Sequence, residues 1–229
     1  GWCWLRLQSK EISLFYTFNR IYRYFNGQDL IYHVRCDTYD DWIKYKHIIK
    51  NNDILVATDS SEKDNVTGIG VFIKDNNRVI YFSQPIGKKS NHFGELYAIH
   101  KGLYLLKYAR IDTKGRRIII FTDSLNNYNP LISIPHNYQK KIRFPKELIE
   151  TQNDLRKHER AILWKIKAHT EPTQYFNDIA DQLSETGRMH PMNDIHLKTP
   201  SINSFKYCTL NDHVYDNSNL FNNIVRNHC

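Results

Sequence analysis

The sequence predicts a mixed α/β fold, with a sheet of five strands and helices packed on it. Three observations lead there. Strand-like and helix-like segments alternate through residues 51–188. Two of the early strand-like runs are joined by Asp75-Asn76-Asn77, a good hairpin turn. A later run, Arg117–Asp123 (RIIIFTD), is continuously apolar, as a strand buried on both faces should be.

The elements follow in order. Asp53–Ser60 (DILVATDS) is a short apolar strand ending near an acid. Gly68–Lys74 (GIGVFIK) and Arg78–Gln84 (RVIYFSQ) are the strands of the hairpin. Ser90–Arg110 is a helix with Leu96, Ile99, Leu103 and Leu106 on one stripe, and with Ser90 or Asn91 as its cap. After the Arg117–Asp123 strand comes a helical region. Pro145–Arg160 is a charged amphipathic helix, Ala161–Lys167 (AILWKIK) a further strand and Phe176–Glu185 a final helix.

The flanks have a different texture. Residues 1–50 form an aromatic and basic lead-in, read as a helical extension or connection segment, with helical spacing over Ile12–Phe25 and Trp42–Ile49. Residues 189–229 are polar, Asn-rich and irregular, and are read as a tail. The first residue is Gly rather than Met, from which a fragment or a processed product is expected.

Composition narrows the function classes. The chain has 229 residues, 32 Lys+Arg against 24 Asp+Glu, and a net charge of +8, which favours a polyanionic partner. No run of 18 apolar residues occurs, so no membrane partner is expected. The start lacks the pattern of a signal peptide. Cys3, Cys36, Cys208 and Cys229 are widely spaced, which suggests neither a zinc ribbon nor a disulfide framework. An intracellular setting, cytoplasm or nucleus, is expected.

The acids carry the chemistry. Asp59 ends the first strand and Asp123 ends the fourth; if these strands are parallel neighbours, both carboxylates leave the same sheet edge. Glu95 lies early in the first long helix. Asp181 lies in the last helix, after a loop holding His169. Singly, each has an ordinary role as a turn residue, a helix-end charge or a solvated acid. Together, clustered carboxylates repel and need cations when ionised. Oxygen-only ligands suit Mg2+ or Mn2+ rather than zinc. Two such ions would activate a water and stabilise the leaving oxygen of a phosphodiester.

Five pieces in order, ATDSS (57–61), SNHFGEL (90–96), IIIFTDS (118–124), KIKAHT (165–170) and NDIADQL (177–183), resemble a type 1 ribonuclease H domain over residues 52–188. The resemblance implies the RNase H-like fold: three antiparallel strands, then parallel ones, with helices on both faces. It implies an endonuclease that cuts RNA in RNA–DNA hybrids with two Mg2+ ions, Mn2+ being an alternative, and leaves 5′-phosphomonoesters. Asp59, Glu95, Asp123 and Asp181 would hold the metal; of Asp178 and Asp181, the family's Asn-x-x-Ala-Asp pattern selects the latter. His169 would move protons or help product leave. Asn91 would read 2′-OH groups, with His92 and Ser60 beside it and Ser90 on a phosphate. Lys140, Lys141 and Arg143, in a basic stretch with Tyr138 and Phe144, would grip the DNA strand.

Two positions depart from the family pattern. Ser60 stands where Gly is usual, and Leu125 where a polar reader often sits, with Asn126 and Asn127 next to it. The flanks resemble a retroelement polyprotein with a reverse transcriptase module upstream. Related nucleases of the same fold are disfavoured: an exonuclease would want Asp-x-Glu at the first strand, and a transposase a final Glu. The competing reading is a weak or inactive hybrid- or RNA-binding domain within a larger polyprotein.

Overall fold

The computed structural model describes residues 31–76, 78–132, 144–158, 160–167, 175–189, 208–210 and 213–215. Its scaffold is an antiparallel meander of β2 (Ile54–Lys63), β3 (Val66–Asp75) and β4 (Arg78–Gly87). The β2–β3 turn places both Asp64 (φ 53°) and Asn65 (φ 62°) in the left-handed region, as a type I′ hairpin demands and as short polar side chains allow. Helix α2 (Asn91–Tyr108) follows, then β5 (Ile118–Thr122), α3 (Leu125–Ile132), α4 (Pro145–Lys157), β6 (Ala161–Lys165) and α5 (Tyr175–Met189). β5 pairs parallel with both β2 and β6. The antiparallel-then-parallel order, and the elements expected over 51–188, are present.

The strand count is larger than five. β1 (Tyr32–Arg35) lies in the lead-in and pairs parallel with β6, giving a central sheet ordered β1-β6-β5-β2-β3-β4. The helical lead-in is therefore corrected over these residues. Four residues at a sheet edge show too little alternation to be recognised as a strand. Helix α1 (Tyr39–Tyr45) follows, with Thr38 and Asp41 forming a capping box. Two three-residue strands, β7 (Cys208–Leu210) and β8 (His213–Tyr215), continue the sheet beyond β4, within the stretch expected to be irregular.

Helices cover both faces. Ile54, Val56, Ile118, Ile120 and Leu163 meet α2, α3 and α4 through Leu96, Ile99, Leu103, Leu131, Leu148 and Leu155. Their sheet neighbours Leu55, Ala57, Ile119, Phe121, Ile162 and Trp164 face the other way, onto Trp42 of α1 and Ile179, Ala180 and Leu183 of α5. This two-sided burial explains why β5 reads as an unbroken apolar run. Each fully buried aliphatic or aromatic side chain stabilises the fold by about 1.5–3 kcal/mol. No helix among the described residues is long and apolar enough to cross a membrane.

Candidate active site

Register places the first two acids. β2 and β5 pair through Ala57↔Phe121, so Asp59 and Asp123, each two residues on, leave the same end of the sheet at the same level. Thr58 Oγ1 donates to the Phe121 carbonyl at 3.0 Å and locks the last rung. At the other end, Arg117 Nε donates to Asp53 Oδ1 at 2.8 Å. Beyond Ala57, β2 continues paired only with β3, where Asp59 lies opposite Gly70. The parting of β2 from β5 opens the gap in which the carboxylates meet.

Glu95 is delivered by α2. Ser90 is the N-cap, its Oγ accepting from the Phe93 N–H at 3.3 Å. Five residues later Glu95 points into the gap and is only 4% exposed. Asp59, Glu95 and Asp123 each offer an oxygen, and the three oxygens lie within 4.8 Å of one another. Asp181 stands outside that set of three, yet close enough for its charge to act on Asp59. α5 reaches there because β3 has glycines beneath it: a Cβ on Gly70 would overlap the Ala180 carbonyl, and one on Gly68 the Arg188 amide. Asp178, one turn earlier, is exposed.

Burial pushes the Asp59 carboxyl well above the usual range, and the charges of Asp123 and Asp181 push it further. The Ser60 N–H, 2.7 Å from Asp59 Oδ1, pulls the other way. Glu95 is also raised, by burial first and then by Asp59 and Asp123, while a hydrogen bond from Ser60 opposes the rise. Asp59 and Glu95 each bear on the other's ionisation, and carboxyl groups this close are stable together only with a proton or a cation between them. Glu95 Oε2 is buried without a hydrogen-bond partner. An all-oxygen donor set, mutual repulsion and an orphaned buried carboxylate oxygen fit a hard divalent cation.

The neighbouring polar residues fall into two groups. Ser60 is buried and its hydroxyl faces Asn91, which is exposed at the start of α2. His92 is half-buried, with Asn126 Nδ2 3.4 Å from its Nδ1. Asn127 is buried instead: its Nδ2 donates to the His92 carbonyl at 2.9 Å and to Ser124 Oγ at 3.1 Å, tying the Asp123 loop to α2. Leu125 is exposed beside them. Sequence reasoning missed Glu62, whose Oε2 accepts from the Asn91 N–H at 2.7 Å. Strand parity was the available signal, since Glu62 and Ser60 share the face of β2 that meets α2. His169, Lys140, Lys141 and Arg143 lie outside the described residues.

The family model for RNase H matches residues 51–189. The chain belongs to the RNase H family. Among solved structures it is similar to LC11-RNase H1, isolated from compost by a metagenomic approach, at 18% identity and a TM-score of 0.46, covering 60% of this chain and 96% of that one. The same enzyme in complex with RNA/DNA hybrid aligns at 20% identity and TM-score 0.46, over 59% of this chain and 96% of that chain. The foamy viral protease-reverse transcriptase in complex with dsDNA aligns at 17% identity and TM-score 0.44, over 59% and 92% of the two chains. No curated protein matches the chain in sequence.

Proposed function

We propose that this domain is a divalent-metal-dependent endonuclease that hydrolyses the RNA strand of RNA–DNA hybrids. The observation that carries the reading is the meeting of Asp59, Glu95 and Asp123 within 4.8 Å at the parting of two parallel strands. Mg2+, or Mn2+ in its place, would be held by these three, with Asp181 completing a second position. When bound, the ions supply an activated water and charge stabilisation at the scissile phosphodiester. The raised carboxyls of Asp59 and Glu95 would have to be deprotonated to hold the cations. Asn91, at the exposed start of α2, presents its amide to the ribose hydroxyls, and Ser90 caps the helix whose N–H groups favour a phosphate. His169 then serves proton transfer or product release. Lys140, Lys141 and Arg143 grip the DNA strand. A reverse transcriptase module upstream in cis is the proposed setting. A lead-in that joins the sheet through β1 and buries Trp42 supports a connection segment there.

The test is cleavage of end-labelled RNA as hybrid, duplex and single strand, each with Mg2+, Mn2+ or EDTA. Hybrid-only cutting, abolished by EDTA and reduced at least about 10²-fold by Asp123→Asn, is expected. Tight hybrid binding without cutting by the native chain would overturn the enzyme reading in favour of a binding domain.

A further inference from the structure

We infer that Ser60 is a positioning residue that sets the ribose selectivity of the site, by fixing which way the Asn91 amide points. The inference rests on the hybrid-cleaving reading and deepens it.

Even-numbered residues of this part of β2 face α2, and Ser60 is 6% exposed there. Its Oγ lies 2.9 Å from the Asn91 carbonyl oxygen and 2.7 Å from Asn91 Oδ1. Both are acceptors, as is the Glu95 carboxyl that the same hydroxyl faces, so the hydroxyl must donate and its single proton is shared among them. With Oδ1 engaged by β2, the Nδ2 end of the carboxamide is turned away from the strand. Nδ2 has no partner among the described residues, and Asn91 is exposed. Glu62 holds the Asn91 backbone N–H at 2.7 Å, so two residues of β2 grip Asn91 at three atoms.

The hydroxyl also has a space built for it. A Cβ at Gly94 would stand 2.7 Å from Ser60 Cβ and 2.8 Å from Ser60 Oγ, so only glycine at 94 admits serine at 60. The Ser60 N–H donates to Asp59 Oδ1 at 2.7 Å. One residue therefore joins the acid cluster to the amide and sets the distance between them. A 2′-OH can accept from such an amide, whereas deoxyribose offers nothing at that position. A donor held in place loses little rotamer freedom on binding, which strengthens the distinction.

The experiment uses the full chain as wild type, Ser60→Ala, Ser60→Thr, Asn91→Ala and the Ser60→Ala/Asn91→Ala pair. The substrates are RNA–DNA hybrids in which single RNA positions are replaced by 2′-deoxynucleotides. Each is read as kcat and KM in Mg2+, and as equilibrium binding in Ca2+. In wild type, one or two deoxy positions should lower kcat/KM about tenfold. Ser60→Ala should shrink that penalty to about twofold, as Asn91→Ala does, and the pair should be no worse than either. Ser60→Thr keeps the hydroxyl and should keep the penalty. Mg2+ affinity by calorimetry should stay within about threefold, because Ser60→Ala keeps the backbone N–H on Asp59 and loses only the side-chain contact with Glu95, the smallest of the influences on that carboxyl. A full deoxy penalty in Ser60→Ala, or a loss of Mg2+ affinity matching the loss of kcat/KM, would overturn the inference. Absence of cleavage in the wild type would instead overturn the parent reading. The binding scan in Ca2+ would then decide the role of Ser60 by the same criteria.

Discussion

Asp59 and Glu95 are held in the native protein with pKa values well above those of free carboxyls, burial being the leading cause for both. In the unfolded chain they ionise in the ordinary range. As pH rises from that range toward the raised native values, the unfolded chain releases protons that the native protein keeps. Metal-free stability therefore falls over this window. Cation affinity moves the opposite way, rising with pH as the carboxyls deprotonate. Two outcomes are expected. Without metal at neutral pH, Asp59→Asn should be about 1–2 kcal/mol more stable than the native protein in chemical denaturation, because it removes one buried acidic group from the repulsive cluster with Glu95 and Asp123. Calorimetry should show Mg2+ binding to the native protein accompanied by proton release, and no such binding by Asp59→Asn. A variant destabilised in the metal-free state would contradict this account of the cluster. The acids themselves were legible, because each falls in or just after an element that periodicity defines, although β2 runs on to Lys63 and Asp59 does not end it as expected. The bonds among Ser60, Glu62, Asn91 and Asn127 were not, since they depend on how far α2 slides along β2, a distance no local pattern encodes.

At the scale of elements, the critical joint is α5 on the meander. Asp181 comes near enough for its charge to act on Asp59 because α5 lies directly on the β3 backbone at Gly68 and Gly70. Gly187 in turn sits against Ser83 and Gln84 of β4. Gly70→Ala would push the helix outward at the Ala180 carbonyl. A loss of about 2–3 kcal/mol in stability is expected, together with weaker Mg2+ binding, measured by urea denaturation and calorimetry. Ordinary stability combined with full Mg2+ affinity would show that α5 does not need this close approach. The strands, helices and caps of residues 51–188 were readable from spacing, turn chemistry and the Ser90 cap. The glycine pair on β3 was visible in GIGVFIK, but its meaning was not: glycines facing a helix and glycines in a bulge read alike in sequence.

The whole molecule extends past the segment in which the acids lie. β1 covers the open edge of β6, and Trp42 is 5% exposed, packed edge-on at 6.1 Å against both Phe121 and Trp164. Trp164 Nε1 donates to the buried thiol of Cys36 at 3.2 Å. Lys165, at the end of β6, reaches Asp37 Oδ1 at the same distance, 3.2 Å. Trp42→Ala should cost roughly 3–5 kcal/mol in denaturant unfolding while leaving the acids in place. A change under about 1 kcal/mol would mean that the lead-in rests on the domain without supporting it. This part was the least legible. Tyr32–Arg35 is too short for its alternation to stand out, and the helical spacing around Trp42 did not reveal which surface it covers. That surface is assembled from β5 and β6, more than 75 residues further along the chain.

Hybrid cleavage and hybrid binding, followed side by side across a Mg2+ titration for the native chain and Asp59→Asn, decide whether the carboxylate cluster is a metal-dependent nuclease centre. Cleavage should rise with Mg2+ in the native chain and fall at least about 10²-fold in the variant, while hybrid binding stays within a few-fold in both. Equal cleavage by the two proteins, or native cleavage that persists in EDTA, would contradict that role of the cluster.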